Sequence, residues 1–193
     1  MRASAGYGIL GVCPSAGWEM QLDLGSFGVR SFREADAAEL ATYANNRKVW
    51  LQLRDRFPHP YTIDDGSRFI AFARDADPET DFAVTVGSVA VGAIGLTLHE
   101  DVERYSAEVG YWLGEPYWGR GIATRVLAAF TRFAFDTFDL ERLYAVPFAT
   151  NAASRRVLEK AGYQLEGCMR RSAIKDGRMH DQLLFAILRG NGT

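Results

Sequence analysis

The chain has 193 residues, of which 48% are hydrophobic and 12% aromatic, and this composition predicts one globular domain with a sizeable core. Its formal net charge is −2, which gives no global attraction to nucleic acid or anionic membranes, so neither is predicted as a partner. With only two cysteines, neither a disulfide framework nor a multi-cysteine metal site is expected, and a reducing, cytoplasmic setting is favoured. No apolar run approaches the length of about 20 residues that a membrane span needs.

The N-terminal half of the chain predicts a tail, one strand and three helices. A stretch rich in Gly, Ala and Ser predicts a flexible tail over residues 1–25, followed by a single domain over residues 26–193. Acidic residues in a first turn favour a helix. The strand is expected at residues 29–32 and the helices at residues 34–44, 47–53 and 64–74.

An aromatic loop separates the second and third of these helices. Pro58 and Pro60 remove backbone donors, so this segment is neither regular helix nor central strand. Its aromatic side chains, with one tryptophan before it, are candidates for the wall of a substrate site, and a packed loop is the alternative. They are Trp50, Phe57, His59 and Tyr61.

The rest of the chain predicts strands interrupted by two helices. Apolar residues at helical spacing over residues 122–138 predict a helix that packs one face on a sheet. Gly162 ends a second helix that Thr150 or Asn151 caps. Strands are expected at residues 81–86, 89–99, 106–113, 142–146, 163–169, 172–174 and 182–188. This order predicts a mixed sheet with helices on its faces.

Residues 118–124, Trp-Gly-Arg-Gly-Ile-Ala-Thr, precede the long helix. Gly119 and Gly121 allow the backbone to turn tightly and to approach a ligand closely. The helix N-terminus adds free N–H groups and the positive end of a dipole, so the segment predicts a diphosphate cradle. It is not a Walker loop, because the chain lacks Gly-Lys-Ser/Thr. It is not a Rossmann fingerprint either, because its third small position is Thr124 and several strands precede it.

Residues 107–188 resemble the GNAT superfamily of acetyl-CoA-dependent N-acetyltransferases, and within it the branch of the ribosomal-protein N-terminal acetyltransferases. Three segments carry the resemblance in order: residues 107–113, 117–124 and 151–163. The superfamily loop usually begins with Gln or Arg, whereas Trp118 is usual in the ribosomal-protein branch. The resemblance implies an α/β (α+β) fold, with a mixed, mostly antiparallel sheet of about seven strands and helices on both faces.

The same resemblance implies acetyl-CoA as the cofactor, with CoA as the product. No metal is predicted, because His59, His99 and His180 do not have the spacing of metal ligands. The backbone of the glycine loop would hold the pyrophosphate, and the strand before it would pair with the pantetheine arm. Asn151 would contact the cofactor's amide region or cap its helix, and Arg155 would meet the 3′-phosphate or stay solvated. The implied cofactor residues are Tyr111, Trp112, Leu113, Trp118, Gly119, Arg120, Gly121, Ile122, Ala123, Thr124, Asn151, Ser154 and Arg155.

Two side chains are the catalytic candidates. Glu108 matches the strand position that carries the base in some histone-acetylating relatives, and a salt-bridge partner or an exposed strand residue is the alternative. Ser154 matches a proposed acid toward the leaving thiolate, and a capping or surface serine is the alternative. Many relatives instead use a tyrosine seven residues after the asparagine, where this chain has Leu158.

These residues predict acetyl transfer to a primary amine, either a protein N-terminal α-amine or a small molecule. No cysteine is placed to carry an acetyl group, so the transfer is expected to be direct, in a ternary complex. The alternative is a non-catalytic acyl-CoA-binding or regulatory module on the same fold. A homodimer is an assembly that the sequence allows without establishing it.

Overall fold

Eight strands form one sheet within residues 20–190, the part of the chain that this computed structural model describes. Their order across the sheet is β1-β2-β3-β4-β5-β6-β8-β7, and neighbours are antiparallel except for the parallel pair β5–β6. The strands are β1 (Gln21–Asp23), β2 (Phe27–Arg30), β3 (Asp81–Val86), β4 (Val89–Leu98), β5 (Ser106–Leu113), β6 (Arg142–Ala145), β7 (Gln164–Lys175) and β8 (Arg178–Leu188).

The helices begin and end at residues suited to those positions. Thr62 and Asp65 form a reciprocal capping box at the third helix, and Asn46 accepts a hydrogen bond from the Lys48 amide at the second. Gly162, with φ +93°, follows the fifth helix. The helices are α1 (Ala37–Ala44), α2 (Arg47–Trp50), α3 (Ile63–Asp75), α4 (Ile122–Thr137) and α5 (Ala152–Lys160).

The two faces of the sheet carry different helices. Ala93 of β4 packs with Leu40 of α1 and Ile70 of α3. Its neighbour Ile94 points to the other face and belongs to the large cluster that contains Phe130 of α4. One face of the sheet is therefore covered by α1 and α3, and the other by α4 and α5.

The mixed, mostly antiparallel sheet with helices on both faces is confirmed. It has eight strands where about seven were expected, and several predicted bounds were wrong: β2 begins at residue 27 instead of 29, and β8 at residue 178 instead of 182. Residues 20–25 are not tail, because Gln21–Asp23 pair with β2 and Met20 is only 1% exposed. The segments expected at residues 163–169 and 172–174 are one strand, β7, whose pairing with β8 is interrupted by irregularities. The rest of the predicted tail, residues 1–19, lies outside the described residues.

Two further properties concern residues 20–190. No helix in this range combines the length and the apolar character needed to cross a membrane. The same range contains no group of three or more His, Cys, Asp or Glu side chains arranged to hold a metal ion.

An ion pair beside α1 yields a stability prediction. Arg30 donates to both carboxylate oxygens of Asp36, at 2.7 and 2.8 Å, and Asp36 is 3% exposed. Burial alone would raise the pKa of Asp36, but the hydrogen bonds from Arg30 and the Arg33 amide outweigh it and hold the pKa below its ordinary value. We expect Asp36→Ala to lower the free energy of unfolding by about 3 kcal/mol, because it leaves Arg30 buried without its partner.

Urea unfolding at several pH values checks this expectation. A carboxylate with a lowered folded-state pKa contributes stability above its unfolded pKa of about 4 and loses that contribution as the pH falls further. The difference between wild type and Asp36→Ala should therefore be full at neutral pH and shrink below about pH 4. Asp136→Ala, at an exposed position on α4, is the control. Equal losses in both variants would contradict the assignment.

Candidate active site

The glycine loop leads into α4 with two left-handed residues. Gly119 has φ +74° and Gly121 has φ +75°, and a Cβ at either position would meet no atom within 4 Å. The first hydrogen bond of α4 joins the Arg125 amide to the Gly121 carbonyl at 3.2 Å, so the amides of the first turn have no helical partner. No acidic side chain lies in that first turn. The loop is therefore an open, positively polarised concavity suited to a diphosphate.

Trp118 holds this loop against the end of β5. Its indole Nε1 donates to the Leu113 carbonyl oxygen at 2.6 Å. The Arg120 guanidinium lies 5.5 Å from the centre of the Tyr117 ring, whose hydroxyl is 3.1 Å from that of Tyr43. Trp118 therefore contributes by positioning the loop, a contact that the sequence motif alone does not reveal.

A gap opens between β5 and β6 beyond Glu108. The parallel ladder runs from Ser106–Arg142 to Glu108–Tyr144, after which β5 continues to Leu113 while β6 ends at Ala145. Beyond that point, the described residues provide no strand partner for β5 on this side. This edge could accept the extended arm of a ligand as an added strand.

The pairing with β4 decides which residues of β5 serve this gap. The Gly114 amide donates to Val91 at 2.8 Å, and antiparallel bonding alternates from there along the register. The backbone groups of Trp112 are therefore directed to β4, whereas the amides of Tyr111 and Leu113 face the gap. Of the three residues predicted to offer backbone groups to a ligand, Tyr111 and Leu113 therefore have amides that face the gap, and a contact from Trp112 stays a prediction.

Ser154 and Asn151 meet β5 on the α4–α5 side of the sheet. The Asn151 side chain accepts from the Ser154 amide at 3.0 Å and so caps α5. The Ser154 Oγ and the Tyr111 hydroxyl share a hydrogen bond of 2.9 Å. Burial raises the pKa of Tyr111 to about 12, although the hydrogen bond to Ser154 opposes the shift. Two protonated hydroxyls therefore stand together beside the gap.

Arg155 lies away from this pair. Its guanidinium Nε donates to Glu159 at 2.8 Å, one helical turn further along α5, and half of its side chain is exposed. This arrangement agrees with the alternative of a solvated surface arginine, and contact with a terminal phosphate stays a prediction.

Glu108 lies on the opposite face, at the base of an open cleft. Its side chain is 19% exposed and forms an ion pair with Arg54, which comes from the loop after α2. The cleft has a volume of about 480 Å³. It is lined by Arg54, Asp55, Glu108, Tyr144, Val146, Phe148, Met169, Ala173, Ile174, Lys175, Gln182 and Leu184.

Tyr144 borders Glu108 on β6. Its hydroxyl is 2.8 Å from the His99 Nε2, and the two rings stack. Burial and the neighbouring Glu108 carboxylate raise the pKa of Tyr144 above its ordinary value. The tyrosine is therefore neutral at physiological pH, and its hydroxyl bonds to His99 beside the carboxylate.

The predicted aromatic wall divides into two groups. Trp50 stacks on His59 with ring centres 5.6 Å apart, and the Lys175 Nζ lies 3.7 Å from the centre of the Trp50 ring. Phe57 and Tyr61 pack instead in a small core cluster with Trp112, and Tyr61 is 6% exposed. None of the four residues lines the cleft around Glu108 directly, and their contact with a substrate stays a prediction.

Lys175 and Asp55 tie the loop after α2 to the β7–β8 hairpin. Lys175 is 1% exposed, and its ammonium donates to Asp55 at 2.8 Å. Arg47 pairs with Asp176 of the same hairpin at 2.6 Å. These contacts hold Arg54 over the cleft. Sequence reasoning missed Arg54, Lys175 and Tyr144, and no local signal marks them because their partners are distant along the chain.

A family model described as "Acetyltransferase (GNAT) domain" matches residues 27–164. Among curated proteins, the chain is 32% identical over 100 residues to the uncharacterized N-acetyltransferase YoaA of Bacillus subtilis, an alignment that covers 51% of this chain and 55% of YoaA. The chain thus spans about half the length of this relative. It is 26% identical over 178 residues to the [ribosomal protein uS5]-alanine N-acetyltransferase of Escherichia coli, covering 82% and 86% of the two chains.

The solved structures support the same fold. RimL, described as a ribosomal L7/L12 alpha-N-protein acetyltransferase in complex with coenzyme A, superimposes with a TM-score of 0.77 at 20% identity. The match covers 88% of this chain and 98% of that chain.

Proposed function

Because the chain belongs to the GNAT acetyltransferase family, we propose that it transfers the acetyl group of acetyl-CoA to the α-amine of a protein N-terminus. The observation that carries this proposal is the arrangement around the β5–β6 gap. An anion cradle and two hydroxyls lie at one side, and a carboxylate at the base of an open cleft lies on the opposite face. Two reactants could therefore approach the gap from opposite faces.

Acetyl-CoA fits the residues at the gap. Its pyrophosphate would meet the free amides of the loop and of the first turn of α4, where no carboxylate repels it. Its pantetheine arm would pair with the amides of Tyr111 and Leu113, as an added strand does. One of these amides could polarise the thioester oxygen as negative charge develops there. Coenzyme A is also the ligand of the RimL structure.

Transfer in this arrangement is direct. The amine nitrogen attacks the thioester carbonyl carbon, a C–N bond forms, and the C–S bond breaks. Glu108, or a water molecule that it holds, accepts the proton that the amine loses. Ser154, hydrogen-bonded to Tyr111, supplies the proton that the departing thiolate gains. The proposed transfer does not pass through an acetylated cysteine.

The choice of a protein α-amine is supported by the cleft and by the relatives. Apolar side chains such as Met169, Ile174 and Leu184 line the cleft beside Glu108, and they suit the side chains that follow a peptide N-terminus. The uS5-alanine and L7/L12 enzymes are both named for ribosomal-protein acceptors. Such an acceptor implies a cytoplasmic enzyme.

The experiment that tests this function is a thiol-release assay over an amine panel. With acetyl-CoA present, peptides with free N-termini should release CoA thiol at rates well above those of polyamines and free amino acids. If small amines were the faster acceptors, the proposed acceptor class would be wrong. If no amine released thiol while acetyl-CoA still bound, the non-catalytic module would be the correct interpretation.

The hydroxyl pair yields a further prediction. We expect Ser154→Ala and Tyr111→Phe each to lower kcat about tenfold, since each removes a hydrogen bond worth about 1.4 kcal/mol near the leaving thiolate. The double variant should lose little more than either single variant, because the two hydroxyls act as one unit. Steady-state kinetics and acetyl-CoA titration measure both effects.

Tyr163→Phe is the matched control, because the Tyr163 hydroxyl bonds to Thr131 at 2.8 Å inside the core. It should alter stability and leave kcat unchanged. Losses that multiply in the Ser154 and Tyr111 double variant would show that the two hydroxyls act independently.

A further inference from the structure

Gly110 is an exposed residue in the middle of the central strand β5. β5 is the fifth of eight strands across the sheet. A Cβ built at Gly110 would meet no atom within 4 Å, and its φ lies outside the left-handed region. Glycine destabilises the interior of a strand, and the backbone conformation at position 110 does not require it.

At two neighbouring glycines, close packing explains why there is no side chain. A Cβ at Gly95, directly opposite Gly110 on β4, would lie 2.3 Å from the Asp81 Oδ1. A Cβ at Gly92 would lie 2.2 Å from the Trp112 carbonyl oxygen. Both positions need glycine because other atoms occupy the space. At Gly110 the space is open, so packing does not explain the missing side chain.

The open space lies beside the carboxylate that the proposed mechanism uses. Alternation along β5 puts Gly110 on the same face as Glu108 and Trp112. Residues two apart on one strand are separated by about 6.6 Å. A group attached to an amine at Glu108 could therefore reach over Gly110, with the Trp112 side chain beyond it.

We infer that Gly110 is a specificity-determining residue: it leaves room for the side chain of the acceptor's first residue. This inference rests on the proposed function, since it concerns the acceptor of the same reaction. The acceptors it admits are α-amines whose first residue carries a side chain larger than hydrogen. A side chain at position 110 would fill that room and leave the amides that face the gap in place.

Gly110→Ala and Gly110→Val test the inference with peptides that differ only in their first residue, which is Gly, Ala, Ser or Met. The selectivity ratio is the kcat/KM of a peptide with a larger first residue divided by the kcat/KM of the peptide that begins with Gly. We expect Gly110→Val to lower this ratio at least about tenfold. Gly110→Ala should lower it less. In Gly110→Ala, acetyl-CoA affinity and thermal unfolding should stay close to wild type, because the added Cβ has no atom within 4 Å.

Gly167→Val is the control, since Gly167 is also an open strand glycine and lies on the edge strand β7, three strands away from β5. It should leave the ratio unchanged. An unchanged ratio in both Gly110 variants would overturn the inference, and so would loss of acetyl-CoA binding in folded Gly110→Ala. If wild type acetylated none of the peptides, the proposed function would fail, and this inference with it.

Discussion

Gly121→Asp is expected to weaken acetyl-CoA binding at least about 100-fold. Gly121 has φ +75°, so any L side chain there strains the turn, and the open space around it is where the diphosphate would lie. An aspartate would also place negative charge at the N-terminus of α4, where no acidic residue now stands. Loss of two charge-assisted hydrogen bonds, each worth about 1.5 kcal/mol, corresponds to roughly this change in affinity. Isothermal titration with acetyl-CoA measures it.

Gly190→Asp provides the control for strain and charge. Gly190 has φ +87° and open space for a Cβ, and it follows β8, whose C-terminal end lies beside the starts of β6 and β5, at the opposite end of the sheet from the loop at residues 118–121. It should bind acetyl-CoA as wild type does. If Gly121→Asp also kept wild-type affinity, the glycine loop would not be the cofactor cradle.

Glu108→Gln is expected to lower kcat about 100- to 1000-fold, within the usual contribution of a positioned general base. The substitution keeps the size of the side chain and removes its ability to take a proton. Glu108 is directed to the cleft face, whereas the residues predicted to hold the cofactor border the gap and α4. Acetyl-CoA affinity should therefore change little, and the loss should appear in turnover of saturated enzyme.

Glu100→Gln is the matched control, at an exposed residue just after β4 that does not line the cleft. Its kcat should equal that of wild type. If Glu108→Gln kept wild-type turnover, Glu108 would not be the base and would serve only as the ion-pair partner of Arg54.

The conformation of the glycine loop was predictable from sequence because its requirements are local. Two glycines, one residue apart before an amphipathic helix, need only neighbouring residues to produce left-handed turns and a free helix N-terminus. The strand and helix that flank the loop also follow from local periodicity, and their observed bounds differ from the predicted ones by a single residue.

The chemistry around the loop depends on distant partners and was only partly predictable. The hydrogen bond between Tyr111 and Ser154 joins residues 43 apart, and the Arg54–Glu108 pair joins residues 54 apart. The Lys175–Asp55 contact spans 120 residues. Any of several arginines could have met Glu108, so composition and spacing do not select Arg54. The side of the sheet that Tyr111 faces was available from strand alternation, although the identity of its partner was not.

The strand boundaries failed for a related reason. β1 has only three residues, too few for the alternation of polar and apolar residues to predict a strand, so its pairing with β2 defines it. β7 continues through Arg171, whose φ of 51° marks the irregularity at which the sequence suggested a break.

The most direct test of the account uses two peptides that differ only in which amine is free. One has a free α-amine and blocked lysines, and the other has a blocked α-amine and a free lysine. After reaction with acetyl-CoA, tandem mass spectrometry locates the added acetyl group. We predict acetylation of the α-nitrogen of the first peptide and none of the second. Acetylation of the lysine alone, or of neither peptide while acetyl-CoA binds, would contradict it.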